Sequence, residues 1–262
     1  MKNKLTKIEP WSRLTEWTPA RIALGRAGVS TPTSAMLEFN SDHALARHAI
    51  YASMPVARME EELAGKGLAT ISVTSRVHDR SEYLRRPDLG RLLTSQSARA
   101  LHRSEAAPPQ TLSIVVADGL SALAPVMHAP PLIDALRKGL NGWSLDAIVL
   151  ATGARVALGD EIGAIRGAEA VVVLIGERPG LKSPDSLGAY LTYRPRPGRM
   201  DSERNCISNI RPAGLSYMQA AFRLLYLLHQ SRLLGASGVV LKDESDRVAL
   251  PPIETSDTEE SC

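Results

Sequence analysis

Two short turns carry the side chains that are best suited to contact a ligand. Asp118 and Gly119 follow one apolar run, and a Gly-Glu-Arg-Pro-Gly turn at residues 176–180 follows another. Asp118 could polarise or hydrogen-bond a ligand, although aspartate beside glycine is also ordinary turn chemistry. Glu177 likewise has two interpretations: a ligand contact beside backbone that two glycines leave open, or half of a surface charge cluster with Arg178.

Cys206 is the remaining residue with reactive chemistry. It lies in an Arg-Asn-Cys-Ile-Ser-Asn-Ile run at residues 204–210, whose polar character predicts a loop. A lone cysteine without a neighbouring histidine is more often an inert small hydrophobe than a nucleophile. The sequence therefore predicts no catalytic thiol.

Several common cofactor motifs are missing from the sequence. There is no Gly-x-Gly-x-x-Gly, no His-Glu-x-x-His and no histidine pair at metal-ligand spacing, so no metal site is predicted. The Gly-Leu-Lys-Ser run at residues 180–183 departs from a phosphate loop by one interposed leucine. Nicotinamide, metal-hydrolase and nucleoside-triphosphate chemistry therefore lack their usual sequence support.

Three short, continuous apolar runs predict the elements that position these turns. Residues 112–117, 145–150 and 170–175 are typical of strands that are covered on both faces. Helix-compatible segments separate them, at 122–140 with interruptions at its prolines and at 161–166, which indicates crossover units on a parallel sheet. Ligands of such sheets bind beyond the carboxyl ends of the strands, where both turns lie.

The other elements complete an α/β fold. A strand is predicted at residues 190–194 and a long helix at 215–234, ended by Gly235. In the N-terminal third, Thr-Pro pairs at 18–19 and 31–32 predict helix starts, the first helix ending at Gly25. A further, half-exposed strand is predicted within 68–77.

We therefore expect a smaller, mainly helical N-terminal domain at residues 1–106 and a Rossmann-like, parallel-sheet domain at 107–242. Residues 243–262 form an acidic tail that we expect to be disordered. The tail carries seven acidic residues against Arg247, a charge of −6, which leaves +9 on the rest of a chain whose net charge is +3.

Composition excludes several classes of partner. The basic residues are scattered and aromatic residues make up only 4%, which does not favour nucleic-acid binding. No run approaches the roughly 20 apolar residues that span a membrane. Two cysteines among 262 residues do not build a disulfide framework, so a cytoplasmic protein is expected. The charge of +9 on the body makes an acidic protein partner at least as consistent with the sequence as nucleic acid.

Six ordered blocks, spread over about residues 20–241, carry a resemblance to a known family. Two are the 176–180 and 204–210 runs, and the others are Gly-Arg-Ala-Gly at 25–28, Tyr-Leu-Arg-Arg-Pro-Asp-Leu-Gly-Arg at 83–91, Val-Ala-Asp-Gly-Leu-Ser at 116–121 and Arg-Val-Ala-Leu-Gly-Asp-Glu-Ile-Gly at 155–163. The chain resembles the small (light) subunit of adenosylcobalamin-dependent ethanolamine ammonia-lyase.

The resemblance implies that the chain is one half of a cofactor site. Adenosylcobalamin would lie between it and a large subunit that holds ethanolamine and the catalytic residues, in a hexamer of heterodimers. Val156, Glu177 and Cys206 would contact the cofactor, and no residue of this chain would be catalytic. The implied reaction converts ethanolamine to acetaldehyde and ammonia, and packaging in a bacterial microcompartment is left open.

Two other functions fit the residues taken without the resemblance. The turns at the strand ends suit a stand-alone nucleotide-binding, Rossmann-like enzyme, which would bind a nucleotide without a partner. The basic body suits a non-catalytic structural subunit.

Overall fold

The computed structural model describes residues 6–7 and 9–247. The strands are β1 (Thr6–Lys7), β2 (Arg26–Ala27), β3 (Thr70–Thr74), β4 (Thr111–Ala117), β5 (Ser144–Leu145), β6 (Ile148–Thr152), β7 (Ala170–Gly176), β8 (Leu187–Tyr193) and β9 (Asn205–Ile210). The α-helices are α1 (Thr33–Tyr51), α2 (Val56–Gly65), α3 (Arg80–Arg85), α4 (Ser95–Leu101), α5 (Leu123–Arg137), α6 (Leu158–Arg166) and α7 (Tyr217–Leu234). Short 3₁₀ helices lie at Pro10–Glu16, Leu89–Arg91, Asp201–Glu203 and Ser245–Arg247.

The main sheet has seven strands and is mixed. Its order is β3-β6-β4-β7-β8-β9, with β5 beside the start of β4. Strands β3 to β7 pair in parallel, whereas β8 pairs antiparallel with both β7 and β9. The prediction of a parallel sheet was therefore wrong for the last two strands. No crossover helix separates β7 from β8, so the chain reverses direction and β8 pairs antiparallel.

Helices cover both faces of this sheet, which confirms the α/β class. Along β4, Leu112, Ile114 and Val116 pack with one apolar cluster, which includes residues of α2, α5 and α7. Val115 and Ala117 pack with the other, which includes residues of α4 and α6. Every residue of β4 and β7 is buried, as continuous apolar runs predict.

The 204–210 run, predicted as a loop, is instead the edge strand β9. Ile207 and Ile210 are buried, whereas Cys206 and Ser208 are exposed. One face of an antiparallel edge strand is in contact with water, so polar residues are common there and the sequence lacks the apolar run that marks β4. The structure thereby places Cys206 on a strand.

Two predictions about helix boundaries need correction. No helix begins after Thr18, because the Thr18 hydroxyl accepts a hydrogen bond from the Ala20 N–H at 3.1 Å, forming a local turn. Helix α5 continues through its prolines instead of being interrupted, since it is buried between β7 and α7. In contrast, α1 begins at Thr33, within one residue of the predicted start.

Strand β3 confirms the strand predicted within residues 68–77, and it pairs with β6 in the main sheet. The sheet therefore has strands on both sides of the boundary expected at 106/107. Of the expected tail, Asp243 and Asp246 pair with Arg223 of α7, and residues 248–262 lie outside the described part. No helix in the described residues is long and apolar enough to span a membrane.

Candidate functional site

A cleft of about 470 Å³ opens at the carboxyl ends of β4, β6 and β7. The strand order reverses at β4: β6 lies on one side of it and β7 on the other, and α5 and α6 cover opposite faces of the sheet. Such a switch point leaves a crevice beyond the strand ends. The cleft is lined by Tyr83, Gly119, Leu120, Arg155, Val156, Ile175, Gly176, Glu177, Arg178 and Tyr190.

Two of the three predicted site residues line this one cleft. Val156 precedes α6 and is partly buried against the apolar cluster on that face of the sheet. Glu177 follows β7 directly and is half-buried, with its backbone N–H bonded to the Ser186 carbonyl at 2.9 Å. The fold therefore brings together an apolar side chain and a carboxylate that are 21 positions apart in the sequence.

The Glu177 carboxylate is held by a residue directly before β8 and by one on β9 rather than by its basic neighbour in the sequence. The Ser186 hydroxyl donates to Oε2, and the Asn209 N–H donates to the same atom at 3.3 Å. No ion pair joins Glu177 to Arg178 among the described side chains. The structure thus favours a positioned acceptor over the surface charge cluster.

Cys206 does not line the cleft, but it lies beside a residue that does. It pairs across the ladder with Tyr190 of β8, and its Sγ is 3.3 Å from the Ser208 hydroxyl. Burial and then the neighbouring Cys206 thiol raise the pKa of Tyr190, which stays a neutral phenol at physiological pH. The exposed thiol therefore lies next to the cleft lining, without a described basic group to activate it.

Asp118 has a structural role at the edge of the cleft. Its carboxylate accepts backbone N–H groups from Gly119, Gly153 and Ala154 at 2.9–3.0 Å, and Arg80 Nη1 lies 4.0 Å away. Burial raises the pKa of Asp118, and these donors oppose the rise. The side chain holds the end of β4 against the turn after β6, which supports ordinary turn chemistry over direct ligand contact.

The two turns approach each other so closely that only glycine fits. A Cβ on Gly176 would lie 1.9 Å from the Ser121 carbonyl oxygen. A Cβ on Gly119, whose φ is +57°, would lie 2.3 Å from the Gly176 carbonyl oxygen. Both glycines are buried and line the cleft without side chains.

Tyr83 is a lining residue that the sequence did not identify. The guanidinium carbons of Arg80 and Arg155 lie 4.5 and 4.0 Å from its ring centroid, and its hydroxyl donates to the Ala154 carbonyl at 3.1 Å. Burial raises the pKa of Tyr83 to about 12, with Arg155 opposing the rise. This stack fixes the wall beside Val156.

The structure also explains why the Gly-Leu-Lys-Ser run at residues 180–183 is not a phosphate loop. Lys182 contacts two acids of α1, with Asp42 Oδ2 at 2.8 Å and the Glu38 carboxylate closer still. The same connection is anchored by a hydrogen bond of 2.7 Å from the Ser121 hydroxyl to the Pro184 carbonyl. Lys182 therefore ties the loop after β7 to α1.

Only some of the cleft-lining residues that were not predicted could have been identified from the sequence. Tyr83 and Arg155 belong to two of the blocks that carry the family resemblance, so that resemblance could have nominated them. Tyr190 lies in a strand without a diagnostic motif, and only the β7–β8 pairing shows that it faces the cleft.

Comparisons with known proteins identify the family of the chain. The family model described as ethanolamine ammonia-lyase light chain matches residues 8–242. A protein named ethanolamine ammonia-lyase small subunit from Bradyrhizobium diazoefficiens is 53% identical over 259 residues, covering 98% of this chain and 99% of its own. Proteins of the same name from Pseudomonas syringae pv. tomato and Azotobacter vinelandii are 50% and 52% identical, covering 100% and 90% of this chain and 91% and 89% of their own. The chain therefore belongs to the family of the ethanolamine ammonia-lyase small (light) subunit.

Proposed function

We propose that this chain forms one wall of an adenosylcobalamin site in ethanolamine ammonia-lyase, and that a large subunit completes it. The observation that carries the proposal is the meeting of Val156 and Glu177 in one cleft at the switch point of the sheet. Ligand pockets combine apolar surface with a few fixed polar groups, as this cleft does. A corrin with its side chains exceeds a volume of 470 Å³, which fits a shared site.

The residues present suit a corrin, a broad and partly apolar plate with amides around its rim. Val156 and Ile175 offer apolar contact, and the backbone at Gly119 and Gly176 allows close approach. The Glu177 carboxylate can accept a hydrogen bond from a rim amide, because Ser186 and Asn209 hold it in place. Cys206 would contact the ligand at the rim.

When bound, adenosylcobalamin supplies the radical chemistry that converts ethanolamine to acetaldehyde and ammonia. The residues of this chain hold and orient the cofactor, and ethanolamine and its catalytic residues belong to the large subunit. We further propose that residues 107–242 cover the cofactor and that the acidic tail has no part in the site. The assembly is a cytoplasmic hexamer of heterodimers in this proposal.

The N-terminal region offers a surface for the large subunit. Residues 9–51 carry large apolar side chains that are well exposed, among them Trp11, Trp17, Val29 and Leu37. Monomeric soluble proteins seldom leave many such side chains in water. We propose that residues 1–106 pack on the large subunit through this surface.

The decisive experiment replaces Glu177 with alanine in the chain co-expressed with its large subunit. We expect the Kd for adenosylcobalamin to rise about 5- to 150-fold, because a charged hydrogen bond contributes about 1–3 kcal/mol. Equilibrium dialysis read by cobalamin absorbance measures it. Glu105→Ala is the matched control, since Glu105 is exposed in the connection before β4, at the opposite edge of the sheet from the cleft.

The same preparation tests the reaction. The wild-type complex with adenosylcobalamin should release acetaldehyde from ethanolamine, whereas the isolated chain should not. An inactive, folded complex, or an E177A variant with unchanged affinity, would contradict the proposed site.

A further inference from the structure

Two guanidinium groups in the cleft have no anionic partner in the described part of the chain. Arg155 and Arg178 both line the cleft, and neither forms an ion pair there, whereas eleven other described arginines do. 

Eight of these eleven side chains are at most 33% exposed, and the three that are more exposed are Arg26, Arg86 and Arg247. The half-buried Arg155 thus differs from these eight arginines in having no carboxylate partner, whereas Arg178 is exposed.

Uncharged groups hold the Arg155 side chain in place, so its positive charge is not neutralised by a carboxylate. Its backbone N–H donates to the Gly90 carbonyl at 2.8 Å, its Nη2 donates to the Tyr83 carbonyl at 2.9 Å, and its guanidinium stacks on the Tyr83 ring. All of these partners are neutral. Its Nη1 has no hydrogen-bond acceptor in the described residues, so a positioned cationic edge remains available beside the cleft.

The surroundings of this edge favour an anion. Val156 and Ala157 come next in the chain, directly before α6, whose helix dipole favours negative charge at this end. The carboxylate of the lining, Glu177, is engaged by Ser186 and Asn209. The lining therefore has two guanidinium groups and one carboxylate, an excess of positive charge.

We propose that Arg155, with Arg178, forms an anion subsite that takes a phosphodiester of the bound ligand. The inference rests on the proposed function, since a cobalamin carries one phosphodiester, in the loop that links its base to the corrin. Guanidinium groups bind phosphate oxygens through charge-assisted hydrogen bonds. Contacts at this subsite and at Glu177 would fix two different parts of one ligand.

The test compares two corrinoids that differ in this group, using the complex of the chain with its large subunit. Cyanocobalamin carries the phosphodiester, and dicyanocobinamide lacks the phosphodiester together with the ribose and base. We expect Arg155→Gln to raise the Kd for cyanocobalamin on the order of 10- to 100-fold and to change that for cobinamide less than about twofold. Equilibrium dialysis read by corrin absorbance gives both constants.

Two further variants keep the test independent of folding. Arg155→Lys retains the charge but not the planar fork, and we expect it to lose only part of the cyanocobalamin affinity. Arg178→Gln removes an exposed charge without a described partner, and we expect about a threefold loss. Arg196→Gln is the matched control, because Arg196 is exposed after β8, at the opposite edge of the sheet.

The outcomes separate the two proposals. If Arg155→Gln and Arg178→Gln weaken both corrinoids equally, or neither, Arg155 serves only to pack the cleft wall and the anion subsite is wrong. If the wild-type complex binds neither corrinoid, the proposed function itself fails. A loss of affinity confined to cyanocobalamin supports the subsite. Cobinamide phosphate is a third probe: if Arg155→Gln weakens its binding as well, the loss is due to the phosphate rather than to the base.

Discussion

At the scale of single residues, the cleft depends on glycines, which have no side chain, as much as on the residues whose side chains line it. Gly176 ends β7, and its α-carbon faces the Ser121 carbonyl of the turn after β4. The backbone at Ser121 cannot move aside for an added Cβ as the end of a flexible side chain can. The close approach of the two turns therefore requires glycine and keeps Glu177 beside the cleft.

We expect Gly176→Ala to destabilise the chain by about 3 kcal/mol or more, because its Cβ would meet the Ser121 oxygen at 1.9 Å. Urea unfolding followed by circular dichroism measures the free energy of unfolding. Gly65→Ala is the control: a Cβ there meets nothing within 4 Å at the end of α2, so stability should hold or rise slightly. Equal stability of the two variants would contradict the close approach.

At the scale of elements, a buried carboxylate joins the helices on one face to the sheet. Asp146, just before β6, accepts Arg166 of α6 at 2.6 and 2.7 Å and Arg103 at 2.8 Å. Arg166 also donates to the Leu101 carbonyl at the end of α4. The side chain of Asp146 is only 6% exposed, so removing it leaves a buried guanidinium without its partner.

We expect Asp146→Asn to lower the free energy of unfolding at pH 7 by about 3 kcal/mol. Asp88→Asn, in an exposed pair with Arg86, should cause no measurable change. Denaturant titrations of the wild type and both variants provide the comparison. If the two substitutions prove equivalent, Asp146 does not join α4 and α6 to the sheet.

The Asp146 carboxylate should also make the free energy of unfolding depend on pH. Burial alone would raise the pKa of Asp146, but Arg166, the Ala147 N–H and Arg103 outweigh it and hold the pKa below its ordinary value. Because the folded pKa is depressed, the stabilisation is present above the unfolded pKa of about 3.9 and is lost as the pH falls through the folded value. The gap in unfolding free energy between wild type and Asp146→Asn should therefore be constant from pH 7 to about 5 and shrink at more acidic pH. A gap that does not shrink would contradict the assignment.

At the scale of the whole molecule, apolar surface is distributed unevenly. Trp17 is 86% exposed and Trp11 68% exposed, whereas the main sheet is covered on both faces. Exposed apolar surface is typical of protein–protein interaction sites. This asymmetry supports the proposal that the region packs on the large subunit.

We expect Trp17→Ser to weaken association with the large subunit at least about tenfold, since large aromatic residues dominate interface energies. Sedimentation of the diluted complex measures the dissociation constant. Val239→Ser is the control, as Val239 is 74% exposed but follows α7 in the C-terminal half. If neither substitution changes the dissociation constant, or if hydrogen exchange in residues 9–51 is not slowed in the complex, the docking surface lies elsewhere.

The sequence determined those elements whose burial is uniform. Strands β4, β6 and β7 are covered on both faces, so continuous apolar runs mark them, and α7 shows a helical apolar pattern that ends at Gly235. The position of Glu177 in a turn after a buried strand followed from the same pattern. Ordered blocks of residues were enough to indicate the family, which the comparisons confirm.

Only the tertiary structure decided how distant segments meet. The polar run around Cys206 is a strand because β8 offers it a hydrogen-bonding edge, and β8 is antiparallel because no helix separates it from β7. The stack of Arg155 on Tyr83 joins residues 72 positions apart, which no local pattern encodes. Local sequence fixes which face of an element is buried, whereas pairing and close approach depend on contacts between elements, and the cleft is made of such contacts.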